Sequence, residues 1–271
     1  VLAPSVARGK RRFGVLSLGV AAMPLTLLSG LLCSFAPPKP HILLVVIDDF
    51  GWGNVGYHRD VKTPEVQTPT IDALVKEGIE LDRHYVHMMC TPSRSALQSG
   101  RLPVHVITQL ANPCDSHGAI PRNMTGLAAQ LKRAGYATHH IGKWDAGMAT
   151  PTHTPHGRGY DTSLAYFGHG NWAYTSIEWG GSRNHEGPLP DRGGIVDLWD
   201  TDKPAADLNG TLGHEELLFR ARWLDILHAH DAATPLFLQY DSKLIHYPLQ
   251  APLEYQKKFA FIDDDDNRLV Y

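Results

Sequence analysis

The run His41-Ile42-Leu43-Leu44-Val45-Val46-Ile47 limits the possible folds of this chain more than any other stretch. Six apolar residues in succession, four of them β-branched, describe a strand covered on both faces. That is the condition of a central strand in a parallel sheet. Two further strands are expected, at Tyr136–Ile141 and Leu236–Tyr240. Each follows a helical pattern: Thr125–Ala134, stopped by Gly135, and Gly213–His230, with Leu217, Leu218, Ala221, Leu224 and Leu227 facing inward. A capped helix is also expected, with Thr68 at its N-cap, Pro69 at its first position and Gly78 past its end. Ile71, Leu74 and Val75 would form its buried stripe. Alternating strands and helices predict an α/β fold with a mostly parallel central sheet between helices. Open sheets of that kind take their ligands at the carboxyl ends of the strands. There the first strand carries Asp48-Asp49. Adjacent carboxylates repel and need a cation, and oxygen ligands suit Ca²⁺ or Mg²⁺. The plainer alternative is a strand-to-loop turn with aspartate as turn former.

The second informative stretch is Cys90-Thr91-Pro92-Ser93-Arg94. Pro92 suits the first position of a helix carried on by Ser95–Ser99 and ended by Gly100. Cys90 then sits just before a helix N-terminus, where a depressed thiol pKa is expected, and Arg94 points back at the same spot. A small buried thiol is the bland alternative.

A net charge of −3 over 271 residues gives no basic field for nucleic acid. Three cysteines (Cys33, Cys90 and Cys114) are too few for a disulfide scaffold. Sixteen histidines hint at metal or acid–base work without locating it. At the N-terminus, a basic cluster at Arg8–Arg12 precedes an apolar run from Phe13 to Phe35. Residues 1–36 therefore read as a signal peptide or an N-terminal membrane anchor, 37–40 as a linker and 41–271 as one large α/β domain. The triplets Asn123-Met124-Thr125 and Asn209-Gly210-Thr211 are glycosylation acceptors in agreement with secretion.

Cys90-x-Pro92-Ser93-Arg94 resembles the signature of the type I sulfatases. In them a formylglycine-generating enzyme oxidises the cysteine to Cα-formylglycine, whose hydrate is the nucleophile. Gly135-Tyr136-x-Thr138, leading to Gly142-Lys143-Trp144, is similar to the second signature, with Lys143 as the residue that grips sulfate. His246-x-Pro248-Leu249-Gln250-x-Pro252 resembles the arylsulfatase B type, where this histidine protonates the leaving alcohol or binds the sulfate. Thr68–Gly78 and Gly157–Asp161 have family counterparts read as scaffold and turn. The departure is Asp145, at the place where the family has a histidine base. It would act as proton acceptor with an altered pH profile, or be only a turn residue.

The resemblance implies an alkaline-phosphatase-like sandwich and hydrolysis of sulfate esters, with sulfated carbohydrate as substrate. The expected catalytic set is Cys90, Arg94, Lys143, Asp145 and His246; Asp48, Asp49 and residue 90 would bind Ca²⁺ or Mg²⁺. A secretory-pathway protein is implied: secreted, lysosomal or vacuolar, or membrane-anchored. Three other readings stay open: a phosphatase or phosphonate hydrolase of the same superfamily, a degenerate, non-catalytic carbohydrate-binding relative, and, with the least support, a purely structural secreted domain, which gives no reason for Cys90-x-Pro92-Ser93-Arg94. Trp172, Trp179 and Trp199 would stack on a sugar or simply pack in loops. Asp263–Asp266 reads as a solvated turn. Sulfatases complete the metal site with a later Asp-Asn after a strand, and the chain stops 25 residues past His246 without one. A C-terminally truncated fragment is therefore expected, with weak Ca²⁺ binding and no aryl-sulfate hydrolysis of its own.

Overall fold

A computed structural model describes residues 38–264, apart from 61, 62, 175 and 179–195. Its centre is a six-stranded sheet built on three parallel ladders. Strand β1 (Ile42–Ile47) is the outermost strand on one side. It pairs parallel with β8 (Leu236–Ser242), the last strand of the chain, in the register Ile42↔Phe237 to Ile47↔Ser242. Strand β8 pairs parallel with β2 (Ala137–Lys143), and β2 with β3 (Thr162–Tyr166). The short strands β6 (Trp199–Asp200) and β7 (Lys203–Pro204) close the other side antiparallel. A separate two-stranded ribbon joins β4 (Asn171–Trp172) to β5 (Ile177–Glu178).

Side chains alternate across β8 and so define two cores. Phe237 belongs to one, with Ile120, Ala128, Trp144 and Tyr160, under helix α3 (Leu127–Arg133). Leu236 and Leu238 belong to the other, with Ile141, Leu164 and Phe219, under helix α4 (Glu215–Ala229). Helices therefore cover both faces of the sheet, as the strand–helix alternation predicts.

Four local expectations are corrected. Strand β1 is an edge strand, not a central one, and Leu43 and Val45 are about half exposed. Its apolar run marks a strand suited to cover on both faces, but only one face is covered among the described residues. Helix α1 (Pro69–Glu77) has its expected ends, but it has no buried residue, and Leu74 is 64% exposed. Helix α4 turns Leu218, Phe219, Trp223 and Ile226 to the core and leaves Leu227 exposed. The inward face starts at the buried carboxylate of Glu215 and continues one and two turns on at Phe219 and Trp223. Helix α2 (Cys90–Ser99) begins two residues earlier than Pro92 would set it, so Cys90 is its first residue. Gly100 does end it, in the left-handed region at φ +65°.

The basic and apolar N-terminal segment, Cys33 and Trp179 lie outside the described residues, as do Asp265 and Asp266. Among the described residues no helix is long and apolar enough to cross a membrane.

Candidate active site

The parallel register brings the carboxyl ends of β1, β8, β2 and β3 to one edge of the sheet, and the candidate residues gather there. Asp48 follows β1, Lys143 ends β2, Asp145 lies two residues beyond it, and His246 follows β8. Helix α2 lays Cys90 and Arg94 against the same edge. Cys90 Sγ donates to Asp48 Oδ1 at 3.6 Å, and Lys143 Nζ donates to Asp48 Oδ2 at 2.7 Å. The Arg94 guanidinium lies 3.5 Å from Asp48 and 3.2 Å from Asp241, and donates to the Lys143 carbonyl at 2.9 Å. One ligand atom from each of Asp48, Cys90 and His246 falls within 4.8 Å of the others. Asp49 stands to the side, 59% exposed, with a carboxylate oxygen 3.8 Å from His246 Nε2.

Backbone geometry is specialised here. Asp49 and Asp145 both have left-handed φ, +55° and +43°, a region that non-glycine residues seldom adopt and that clusters at functional sites. Gly142, at φ +97°, has its own reason: a Cβ there would meet the Asp241 carbonyl oxygen at 2.0 Å. Only glycine lets β2 run this close to β8 beside Lys143.

Burial opposes ionisation of Asp48, but Lys143, Arg94 and His246 outweigh it and hold its pKa down at about 2. Lys143 is pushed up: burial disfavours its charge, and Asp48 and Asp145 more than compensate. Arg94 is likewise driven up against its burial by Asp241 and Asp48. His246 is lowered by burial and by Lys143. The expected low pKa of Cys90 is overturned. Burial pushes the thiol up to about 11, with Asp48 and Asp145 adding to burial and Lys143 only partly opposing them.

Asp145 is a candidate from its motif, but its partners Thr91 and His169, and the pair Asp241 and His140, carry no motif in the sequence. Asp145 is buried; its Oδ1 accepts from Thr91 Oγ1 at 2.7 Å, and its Oδ2 lies 3.1 Å from His169 Nδ1 and 3.5 Å from Lys143 Nζ. Asp241, buried in β8, contacts Arg94 and, at 3.1 Å, His140 Nε2. Polar Gln239 and Asp241 inside an otherwise apolar strand were the signal for that contact. His169 had no such signal, because it lies in an aperiodic loop. Lys243 reaches the Asn171 carbonyl and lies 3.5 Å from Glu215, behind the His246 loop. Of the three loop tryptophans, Trp199 packs edge-on against Phe167 in the core.

As a donor set, Asp48, His246 and position 90 fit part of a divalent-cation site. Asp48 is held ionised, and an oxygen in place of sulfur at position 90 would make the set suit a hard ion.

The chain belongs to the sulfatase family, whose profile, Sulfatase, matches residues 40–269. Its mostly parallel sheet with flanking helices is the alkaline-phosphatase-like fold of its structural neighbours. Among curated relatives, mouse (Mus musculus) arylsulfatase J is 32% identical over 235 residues, covering 85% of this chain and 36% of the relative. Mouse N-acetylgalactosamine-6-sulfatase is 28% identical over 251 residues, covering 83% of this chain and 44% of the relative. The crystal structure of Ps i-CgsB in complex with k-i-k-neocarrahexaose superposes with a TM-score of 0.68 at 27% identity, covering 86% of this chain and 51% of that one. The chain therefore spans less than half the length of these two curated relatives.

Proposed function

We propose that this chain carries the reaction centre of a sulfuric ester hydrolase acting on sulfated carbohydrates. The observation that carries the reading is the convergence of Cys90, Arg94, Lys143, Asp48 and His246 at one sheet edge. A formylglycine hydrate at position 90, installed by the formylglycine-generating enzyme, supplies the oxygen nucleophile toward sulfur. A divalent cation, Ca²⁺ or Mg²⁺, held by Asp48, Asp49 and residue 90, neutralises charge on the sulfate. Lys143 is a fixed cation in a water-poor site, where its attraction for a sulfate oxygen is strongest. Arg94 orients the group at position 90 through its neighbour Asp48. His246 lies at the mouth, where it binds the sulfate or protonates the departing alcohol oxygen. An apolar N-terminal segment and two glycosylation triplets support a secretory-pathway location, secreted, lysosomal or vacuolar, or anchored.

The test is the mass of the tryptic peptide His84–Arg94 from protein made together with the formylglycine-generating enzyme. An aldehyde at position 90 is expected, and, in protein that carries the complete metal site, sulfate release that Cys90→Ala abolishes. Cys90→Ser should accumulate an enzyme-bound sulfate ester. Thiol alone in the co-expressed protein would overturn the reading, and phosphate-diester turnover in place of sulfate release would reassign the substrate.

A further inference from the structure

The chain on either side of His246 is tied to one short segment, Gly170–Ala173. Before the imidazole, the His246 amide donates to the Lys243 carbonyl at 2.7 Å, which closes a tight turn. The buried ammonium of Lys243 donates to the Asn171 carbonyl. After the imidazole, Gln250 accepts from the Ala173 amide at 2.7 Å, and its own carbonyl lies 3.2 Å from His214 Nε2. Between these two ties, Gly170 lies against the ring. A Cβ on Gly170 would sit 3.4 Å from Cε1 and Nδ1 of His246 and 2.9 Å from the Tyr247 carbonyl oxygen, so bare backbone forms one wall of the imidazole.

That wall is itself held. Ahead of it, the amides of Phe167 and Gly168 donate to the carboxylate of Asp197 at 2.7–3.0 Å. Behind it, Asn171 Nδ2 donates to Glu215 Oε2 at 2.8 Å, and Ser176 Oγ reaches the same oxygen at 3.5 Å. The Glu215 amide donates to the Ala173 carbonyl at 2.7 Å, and its carboxylate lies 3.5 Å from Lys243 Nζ. Asn171 is thus gripped at its carbonyl by Lys243 and at its side chain by Glu215, and all three residues are buried. A buried ion pair adds little net stability over an apolar pair of the same shape, because desolvation offsets the attraction. What it does impose is geometry: Asn171 cannot shift without leaving a buried ammonium or carboxylate short of a partner.

We infer that Lys243 and Glu215 are positioning residues for His246: by gripping Asn171 they fix the Gly170 backbone against which the imidazole rests. This deepens the sulfatase reading and rests on it for the role of His246. Their effect reaches the site through Gly170 and through the turn from Lys243 to His246. The result is a ring nitrogen of His246 kept within 4.8 Å of the ligand atoms of Asp48 and Cys90.

The test reads the position of the ring directly. In the isotope-labelled full chain, a nuclear Overhauser contact between His246 Hε1 and the Gly170 α-protons is expected. Lys243→Met and Glu215→Leu should each weaken or remove it and shift the His246 ring signals. Glu215→Gln, which still accepts from Asn171 Nδ2, should keep it. Gly170→Ala should shift the same ring signals while leaving the Lys243–Glu215 pair in place. In protein that carries the complete metal site, Lys243→Met or Glu215→Leu should lower kcat/KM roughly 10²-fold, the cost of a displacement of about 1 Å, and Glu215→Gln should restore most of it. The double variant should cost little more than either single one, because both residues act on Asn171. Lys243→Met should fold even if Glu215→Leu does not. An unchanged contact and unchanged ring signals in Lys243→Met would overturn the inference, as would a kcat/KM equal to that of the unsubstituted enzyme. A chain whose ring signals respond as expected, but which releases no sulfate with its metal site complete, would sink the proposed reaction and keep the positioning.

Discussion

Two buried lysines, a few residues apart in space from the same sheet edge, have opposite electrostatic fates. Lys143 meets Asp48 at 2.7 Å, with Arg94 and Asp145 close by; its pKa rises while that of Asp48 falls to about 2. Lys243 sits 3.5 Å from Glu215; burial pulls its pKa down and pushes that of Glu215 up to about 7. Asp48, Lys143 and Arg94 of the first cluster stay ionised at neutral pH. The second holds a carboxylate that titrates near neutrality, braced by Asn171 and the start of α4, and it anchors the loop carrying His246. Adjacent Glu216 is part of that brace, accepting from Tyr240 Oη, Ser242 Oγ and the Lys243 amide. Burial alone therefore does not decide charge; the closeness and number of partners do.

The largest effect should come from Lys143→Met. Removing it leaves Asp48 buried with a weaker partner, and a loss of about 3–5 kcal/mol is expected in urea unfolding, with loss of sulfate release. A loss as small as that of Lys243→Met would break the comparison. Next comes the pH dependence contributed by Glu215. Its folded pKa is raised, so the native state binds the extra proton; this stability is fully present below about pH 4.5 and is lost as pH rises through about 7. The contribution is on the order of 3 kcal/mol, and Glu215→Gln should flatten that part of the stability–pH curve. A curve unchanged by the substitution would show that Glu215 titrates normally. Lys243→Met, measured at pH 6, should cost only about 1–2 kcal/mol, because Glu215 can neutralise itself by protonation. The smallest effect should be that of Tyr240→Phe, about 1 kcal/mol, since Glu216 keeps its bonds to Ser242 and the Lys243 amide. A cost above that of Lys243→Met would move the centre of the brace to Glu216.

Much of the scaffold was legible because it follows from periodicity. The runs at Ile42–Ile47 and Leu236–Tyr240 gave strands, and Gly100 and Gly135 marked helix ends where the structure has left-handed φ. Burial was harder to read. Nothing in Leu43 and Val45 says that β1 stands at an edge, and the inward face of α4 depends on where Glu215 finds Lys243. The gathering of Asp48, Cys90, Arg94, Lys143 and His246 was expected from short motifs. The Asp145–His169 contact was not, because it joins a strand end to a loop whose position is set by Asp197 and Glu215. The low thiol pKa expected of Cys90 failed for a related reason: position in a helix suggests one field, while burial by other segments, with their carboxylates adding to it, pushes the thiol the other way.

The pairing of the first strand with the last has a consequence for the order of events during synthesis. Strand β1 can complete its ladder only when β8 exists, and the two are joined by contacts spanning as many as 195 residues. Contacts of that separation form late. At roughly 5–20 residues per second, Cys90 waits on the order of ten seconds between its own emergence and that of β8. Until then Asp48 and Lys143 cannot close over it as they do in the finished fold. The topology thus leaves an interval in which an enzyme can reach residue 90 on an extended chain, before the mature site shuts around it.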